Sequence, residues 1–214
     1  MIIGICGRAQ NGKDTIGKML ADALFDKTGN KYVLMAYATE LKKRVQKDFD
    51  LSYEQLWGSS KEVPDHRYPK NRNNHIAGRR DTDEIKENYW TPREILQEYG
   101  QFFRTIDYDF WVKALFNTID EKAYKNVILT DVRHPNEADP VKKRNGCTIK
   151  IERNVETWVH NQNHISETAM NKYKVDFEVK NFGDLSDLRQ TAIALADAVV
   201  SSVNTTKEIK IIGG

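Results

Sequence analysis

Along the chain two hydrophobic periods take turns. Positions Ile2–Cys6 form an unbroken apolar run, the pattern of a strand covered on both faces. After a glycine-containing turn, Ile16, Met19, Leu20, Ala23 and Leu24 recur at helical spacing and stop before Gly29, so the chain opens as strand, loop, helix. Residues 32–37 predict a second strand. Leu41, Val45 and Phe49 then line one face of a charged helix, and Ser52 with Gln55 makes the capping box of a short one. From 58 to 90 the period fails: Lys61, Arg67, Lys70, Arg72, Arg79 and Arg80 are mixed with Asn, Pro and Gly. Helical order returns where Thr91, Pro92 and Glu94 supply a cap, a first-turn proline and a capping-box acid. Ile95, Leu96, Tyr99, Phe102 and Phe103 continue that helix, and Phe110, Trp111, Ala114 and Leu115 belong to the next.

The second half repeats the alternation. Val127 to Asp131 is a short apolar run ending in a carboxylate, as in a buried parallel strand. A short helix is expected over 136–145, strands over 147–151 and 175–179, and a helix start at Ser166 and Glu167. A long closing helix follows over 185–203 through Leu188, Ala192, Leu195, Ala196 and Val199. Strands alternating with helices, without internal repeats, predict an α/β fold with a mainly parallel sheet. The expected organisation is one domain over 1–214, with 58–90 as a lid or substrate-binding insert and 205–214 as a tail.

Composition narrows the classes. The 214 residues suffice for one well-cored domain, and the 30% of charged positions excludes a membrane-embedded chain. Thirty-three basic residues against 31 acidic ones leave a formal charge of +2. No global attraction to nucleic acid or membrane follows, so neither partner is expected and any anion binding must be local. Cys6 and Cys147 stand far apart with no metal-ligand spacing, and the apolar start lacks a basic leader, so a reduced, cytoplasmic protein is expected.

The strongest chemical feature is GRAQNGKDT at 7–15, between the first strand and the first helix. A polyphosphate needs several donors at once. A loop freed by Gly7 and Gly12 can wrap backbone N–H groups around it, with Asn11 in the same loop, while the helix N-terminus adds its positive end. Lys13 would reach the outer phosphates of a bound ATP. The usual hydroxyl after the lysine is displaced by one place, to Thr15. Asp14 then either helps Thr15 hold a hydrated Mg²⁺ or orient the acceptor, or only favours the helix N-terminus by its charge. The second feature is DVRHPNE at 131–137, straight after an apolar strand. In an open α/β sheet the turn at a strand's carboxyl end faces the ligand crevice. Asp131 is therefore a candidate magnesium-side carboxylate, Arg133 a phosphate clamp, and Glu137 a partner of Arg133 or of a substrate group. The alternative is an Asp-capped turn with a surface Arg–Glu pair.

These blocks, together with Thr91-Pro92-Arg93, Leu96-Gln97, Gly100, Phe110-Trp111 and the later His164-Ile165-Ser166-Glu167, resemble the bacteriophage deoxynucleoside monophosphate kinases over most of the chain. Residues 58–90 carry no matching block. The resemblance implies a three-layer P-loop kinase fold and transfer of the γ-phosphoryl of ATP to a deoxynucleoside monophosphate with Mg²⁺. It also implies that Lys13, Asp14, Asp131 and Arg133 serve catalysis. Gly7, Asn11, Gly12, Lys13, Asp14 and Thr15 would bind ATP, and Thr15, Asp14 and Asp131 would surround the metal. Arg93, Gln97, Trp111, Arg133 and Glu137 would meet the monophosphate. Trp111, on a helix rich in apolar residues, is equally suited to a purely core role. Gln101 and His134 depart from the family's pattern, which bears on base selectivity and not on the reaction. Rival functions are another small-metabolite P-loop kinase, of dephospho-coenzyme A or sugar-acid type, and a nucleotide-dependent binding module without kinase activity. The oligomeric state is open, a homodimer included.

Overall fold

A computed structural model of the protein describes residues 1–8, 11–70, 88–153 and 169–212, with backbone only from 203 on. Five strands form one parallel sheet: β1 (Ile2–Cys6), β2 (Val33–Met35), β3 (Val127–Val132), β4 (Cys147–Glu152) and β5 (Phe177–Lys180). Their order across the sheet is β2-β3-β1-β4-β5, so the first strand lies at the centre. Every residue of β1 is buried, as its unbroken apolar run requires.

The helices are α1 (Lys13–Thr28), α2 (Tyr37–Phe49), α3 (Tyr53–Trp57), α4 (Pro92–Ile106), α5 (Phe110–Glu121), α6 (Pro135–Lys143) and α7 (Leu185–Ile212). Ile3 and Ile5 of β1 pack with Ile128, Ile149 and Ile151 against Leu20 and Leu24 of α1 and Ala192, Ala196 and Val199 of α7. Gly4, of the opposite parity in β1, faces Val141 of α6 on the other side of the sheet. The architecture is therefore the three-layer α/β arrangement that the alternating periods predict. Each fully buried Leu or Ile of this core contributes roughly 1.5–3 kcal/mol.

The chain divides into two compact units, one of residues 1–37 and 116–214, the other of residues 38–115. In the second, Ser52 and Gln55 form the expected capping box of α3, and Thr91 and Glu94 that of α4, with Pro92 in its first turn. Val45, Leu51, Leu56 and Ile95 form its apolar centre, flanked by Trp57, Tyr68, Trp90 and Tyr99.

Several elements differ from their expected bounds. The second strand is shorter than 32–37, because Tyr37 leaves the sheet and opens α2. The closing helix α7 carries on to Ile212, into the segment set apart as a tail. The described parts of 58–90 hold a 3₁₀ turn at Ser60–Glu62 and an antiparallel bridge between Pro69 and Tyr89. Two main-chain bonds brace that bridge, Lys70 N–H to Asn88 O at 2.8 Å and Trp90 N–H to Tyr68 O at 2.8 Å. Arg72, Arg79, Arg80, His164, Ser166 and Glu167 lie outside the described residues. Among the described residues no helix is long and apolar enough to cross a membrane.

Candidate active site

The loop after β1 turns on two glycines in the left-handed half of backbone space. Gly7 has φ 146°, and a Cβ there would stand 2.5 Å from the carbonyl oxygen of Ile151, so a side chain is excluded. Gly12 has φ 84° and ψ 20° and forms the N-cap of α1, whose first hydrogen bond runs from Ile16 N–H to Gly12 O at 2.9 Å. The N–H groups of this first turn have no intrahelical acceptor and are the donors that an anion would meet. Lys13 is 9% exposed and donates from Nζ to the Arg8 carbonyl at 2.7 Å, which draws its ammonium back over the loop. Asp14 is exposed and Thr15 half-buried on the same turn.

Two hollows flank the loop. The first, of about 250 Å³, lies at the carboxyl ends of β1, β3 and β4 and is lined by Gly7, Asn11 and four cations, Arg8, Arg133, Lys150 and Arg153. Glu152 is the acid in this wall. It pairs with Lys150 at 2.6 Å, which raises the lysine's pKa and lowers its own. The second, of about 290 Å³, is lined by Gly12, Thr15, Asn181, Asp184, Leu185 and Leu188 and shares Arg153 with the first. The structure thus brings Arg133 to the same wall as Gly7 and Asn11, and places Gly12 and Thr15 on a neighbouring one.

Polar side chains, buried at Asn11, Tyr37 and Glu137 and half-buried at Asp131, hold the main chain of this site. Asn11 donates from Nδ2 to Ile151 O at 2.9 Å. Asp131 accepts the Tyr37 N–H on Oδ1 at 2.7 Å, and the Tyr37 hydroxyl donates to Glu137 O at 2.6 Å. Burial pushes the Tyr37 phenol far up, with Glu137 and Asp131 adding to the effect, so it remains a proton donor. Glu137, only 4% exposed, accepts the N–H of Arg133 at 2.7 Å and of His134 at 3.1 Å on Oε2. Its main-chain role is to shape the turn that presents Arg133. Burial also lifts the Cys6 thiol to about 11 and the Cys147 thiol to about 12, which removes both as nucleophiles near neutrality.

Arg93, Gln97 and Trp111 belong to the other unit. Arg93 and Gln97 are exposed, one helical turn apart on α4, and Arg93 pairs through Nε with Glu62. Trp111 is 3% exposed, donates from its indole N–H to Gly100 O at 3.0 Å, and packs among Tyr99, Phe103 and Phe110. That is the core alternative left open by the sequence.

Arg8, Lys150, Arg153, Tyr37 and Asn181 enter the site without having been singled out for it. Lys150 carries a legible signal, a cation between the two buried isoleucines of the strand CTIKIE. The roles of Tyr37 and Asn181 depend on partners distant in sequence.

Comparison with known proteins finds similarity in sequence and in structure. A protein of Acanthamoeba polyphaga mimivirus titled "Putative deoxynucleotide monophosphate kinase" is 28% identical over 159 residues, 72% of this chain and 74% of that one. Among solved structures, shikimate kinase of Aquifex aeolicus aligns at 17% identity over 100% of both chains with a TM-score of 0.38. Dephospho-CoA kinase of Campylobacter jejuni aligns at 13% identity over 92% of this chain and 96% of that one with a TM-score of 0.47. The model of the deoxynucleotide monophosphate kinase family matches residues 63–192, more than half of the chain, and it begins inside the stretch where the sequence shows no family block. A phosphotransferase that uses a nucleotide, the chain belongs to the deoxynucleotide monophosphate kinase family.

Proposed function

We propose that the protein transfers the γ-phosphoryl group of ATP to a deoxynucleoside monophosphate, giving the deoxynucleoside diphosphate and ADP. The observation that carries this reading is a glycine-turned loop leading into a helix N-terminus, whose Gly7 and Asn11 line one hollow with four cations, Arg8, Arg133, Lys150 and Arg153, in a chain of this family. Phosphoryl transfer asks the protein for positioning and charge stabilisation and for little covalent chemistry. A phosphate oxygen of the acceptor forms the new bond to the γ-phosphorus, the bond to the β,γ-bridging oxygen breaks, and that oxygen leaves with ADP.

In this reading the N–H groups after Gly12 and the Lys13 ammonium hold the donor's phosphates, and Lys13 exchanges its bond to Arg8 O for one to phosphate. Arg133, on the turn braced by Glu137, stabilises the charge spread over the transferring group. The hollow beside Gly12 and Thr15, with Leu185 and Leu188 in its wall, takes the base of ATP. Arg93 and Gln97 on the open face of α4 grip the acceptor. Among the described residues no cluster of three or more acidic, His or Cys side chains could form a closed metal cage. The oxygen donors Thr15, Asp14 and Asp131 suit Mg²⁺ held partly by phosphate oxygens, the usual state of that ion in kinases. When bound, Mg²⁺ neutralises charge building on the phosphate oxygens.

The test is purified protein with Mg-ATP and each deoxynucleoside and ribonucleoside monophosphate, with diphosphate product measured directly. Product is expected from at least one deoxynucleotide, and Lys13→Ala is expected to lower turnover about 10²–10³-fold with the fold retained. Absence of diphosphate from every monophosphate overturns the reading.

A further inference from the structure

Asn181 follows β5, between a lysine and a phenylalanine, and its sequence context gives it no chemistry. In the structure it is 6% exposed and engaged in two directions. Its main-chain N–H donates to Glu152 O at 2.7 Å, which extends the pairing of β4 with β5 beyond Lys180. Its side-chain Nδ2 donates to the main-chain carbonyl of Asn11 at 3.0 Å, in a buried contact between residues 170 positions apart. Asn11 meanwhile sends its own carboxamide to Ile151 O at the end of β4. One residue of the phosphate loop is thus gripped twice, by its side chain from β4 and by its carbonyl from the residue after β5.

The second grip has a geometric consequence. In a trans peptide the C=O and the following N–H point in opposite directions across one rigid plane, and no peptide among the described residues is cis. Holding the Asn11 carbonyl on Asn181 therefore turns the Gly12 N–H the opposite way. A Cβ at Gly12 would stand 2.9 Å from Asn181 Nδ2, so the carboxamide lies directly against the loop at this residue. Donors of an anion nest bind only when their N–H vectors converge, and convergence is set by peptide orientation. The side chain of the loop residue itself cannot set that orientation, because the group to be held is its own carbonyl.

We propose that Asn181 is a positioning residue for the phosphoryl donor: by anchoring the Asn11 carbonyl it aims the Gly12 N–H at the donor's phosphates. This rests on the kinase reading only for the identity of the donor. The grip of the loop on a bare polyphosphate can be measured apart from any turnover.

The probe is inorganic tripolyphosphate, which has no base or ribose, measured by calorimetry beside ATP on the full-length chain and on Asn181→Leu. Loss of one buried hydrogen bond to the loop is expected to raise the dissociation constant of tripolyphosphate by about tenfold and that of ATP by at least as much, because Asn181 also lines the hollow assigned to the base, with the KM of the monophosphate acceptor changed less than about twofold. Unchanged tripolyphosphate affinity with weakened ATP binding would make Asn181 a contact to the base and overturn the proposal. Equal weakening of donor and acceptor would make it a general structural residue and overturn it as well. If the leucine variant does not fold, the unsubstituted protein decides by NMR. The Gly12 amide and the Asn181 side-chain amide are expected to shift together on addition of tripolyphosphate, and a Gly12 amide that does not respond overturns the assignment. Should tripolyphosphate bind as expected while no monophosphate is phosphorylated, the positioning role stands and the acceptor assignment falls.

Discussion

The two units hold themselves together by different means. In the sheet-bearing unit the polar contacts around the site join side chains to main chain: Asn11 to Ile151 O, Asn181 to Asn11 O, Asp131 to Tyr37 N–H, and Glu137 to the N–H groups of Arg133 and His134. In the helical unit a cluster of stacked and edge-on rings stands beside the aliphatic centre. Phe103 stacks on Phe110 at 4.5 Å and meets Tyr99 at 5.0 Å and Trp111 at 5.7 Å, and the charges pair side chain to side chain near the surface. The difference follows from what each presents. A site that binds through backbone donors, as proposed, needs its peptide planes held from outside, and carboxamides and carboxylates are placed here as braces. A helix face offering Arg93 and Gln97 needs only a firmly packed back.

The largest effect expected from breaking that contrast is at Glu137. Glu137→Ala removes a buried carboxylate that accepts two main-chain N–H groups, at a cost of about 2–3 kcal/mol in urea unfolding, and weakens tripolyphosphate binding without changing the acceptor KM. A variant of unaltered stability would show that the brace is dispensable. Next is Asp65 in the helical unit, whose buried carboxylate is held at about 2 by its hydrogen bonds to Arg67, against an ordinary 3.8. Because the folded state lowers this pKa, the stabilisation is present above about pH 4 and is lost as pH falls towards 2. Asp65→Asn is expected to cost about 1–2 kcal/mol at pH 7 and to flatten the loss of stability between pH 4 and 2. An acid limb identical in the two proteins would refute the assignment. The smallest structural effect is at the exposed Arg93–Glu62 pair, where Arg93→Ala should change stability by less than about 1 kcal/mol. The acceptor KM should nevertheless rise while tripolyphosphate affinity stays constant, and equal loss for donor and acceptor would remove Arg93 from the acceptor site.

What the sequence shows and what it hides divide along sequence separation. The first strand, the phosphate loop and α1 are legible because an apolar run, two glycines and a helical period are contiguous. The capping boxes of α3 and α4 are legible because their partners stand three residues apart. Tyr37 and Asn181 are not, since their partners lie 94 and 170 positions away and no local period records them. Glu137 was visible as a polar group beside Arg133, but only the fold shows that it binds the arginine's N–H. Trp111 fits a pocket and a core equally well in sequence, and only the fold shows its bond to Gly100 and the rings around it.

The thiols of Cys6 and Cys147 sit on the neighbouring strands β1 and β4, at opposite ends of their pairing, with their charged forms suppressed by burial. A thiol-specific reagent therefore has no reaction to report while the sheet is closed. Its labelling rate becomes a clock for how often the central strands part, and a polyphosphate that tightens the loop one residue beyond Cys6 should slow that clock.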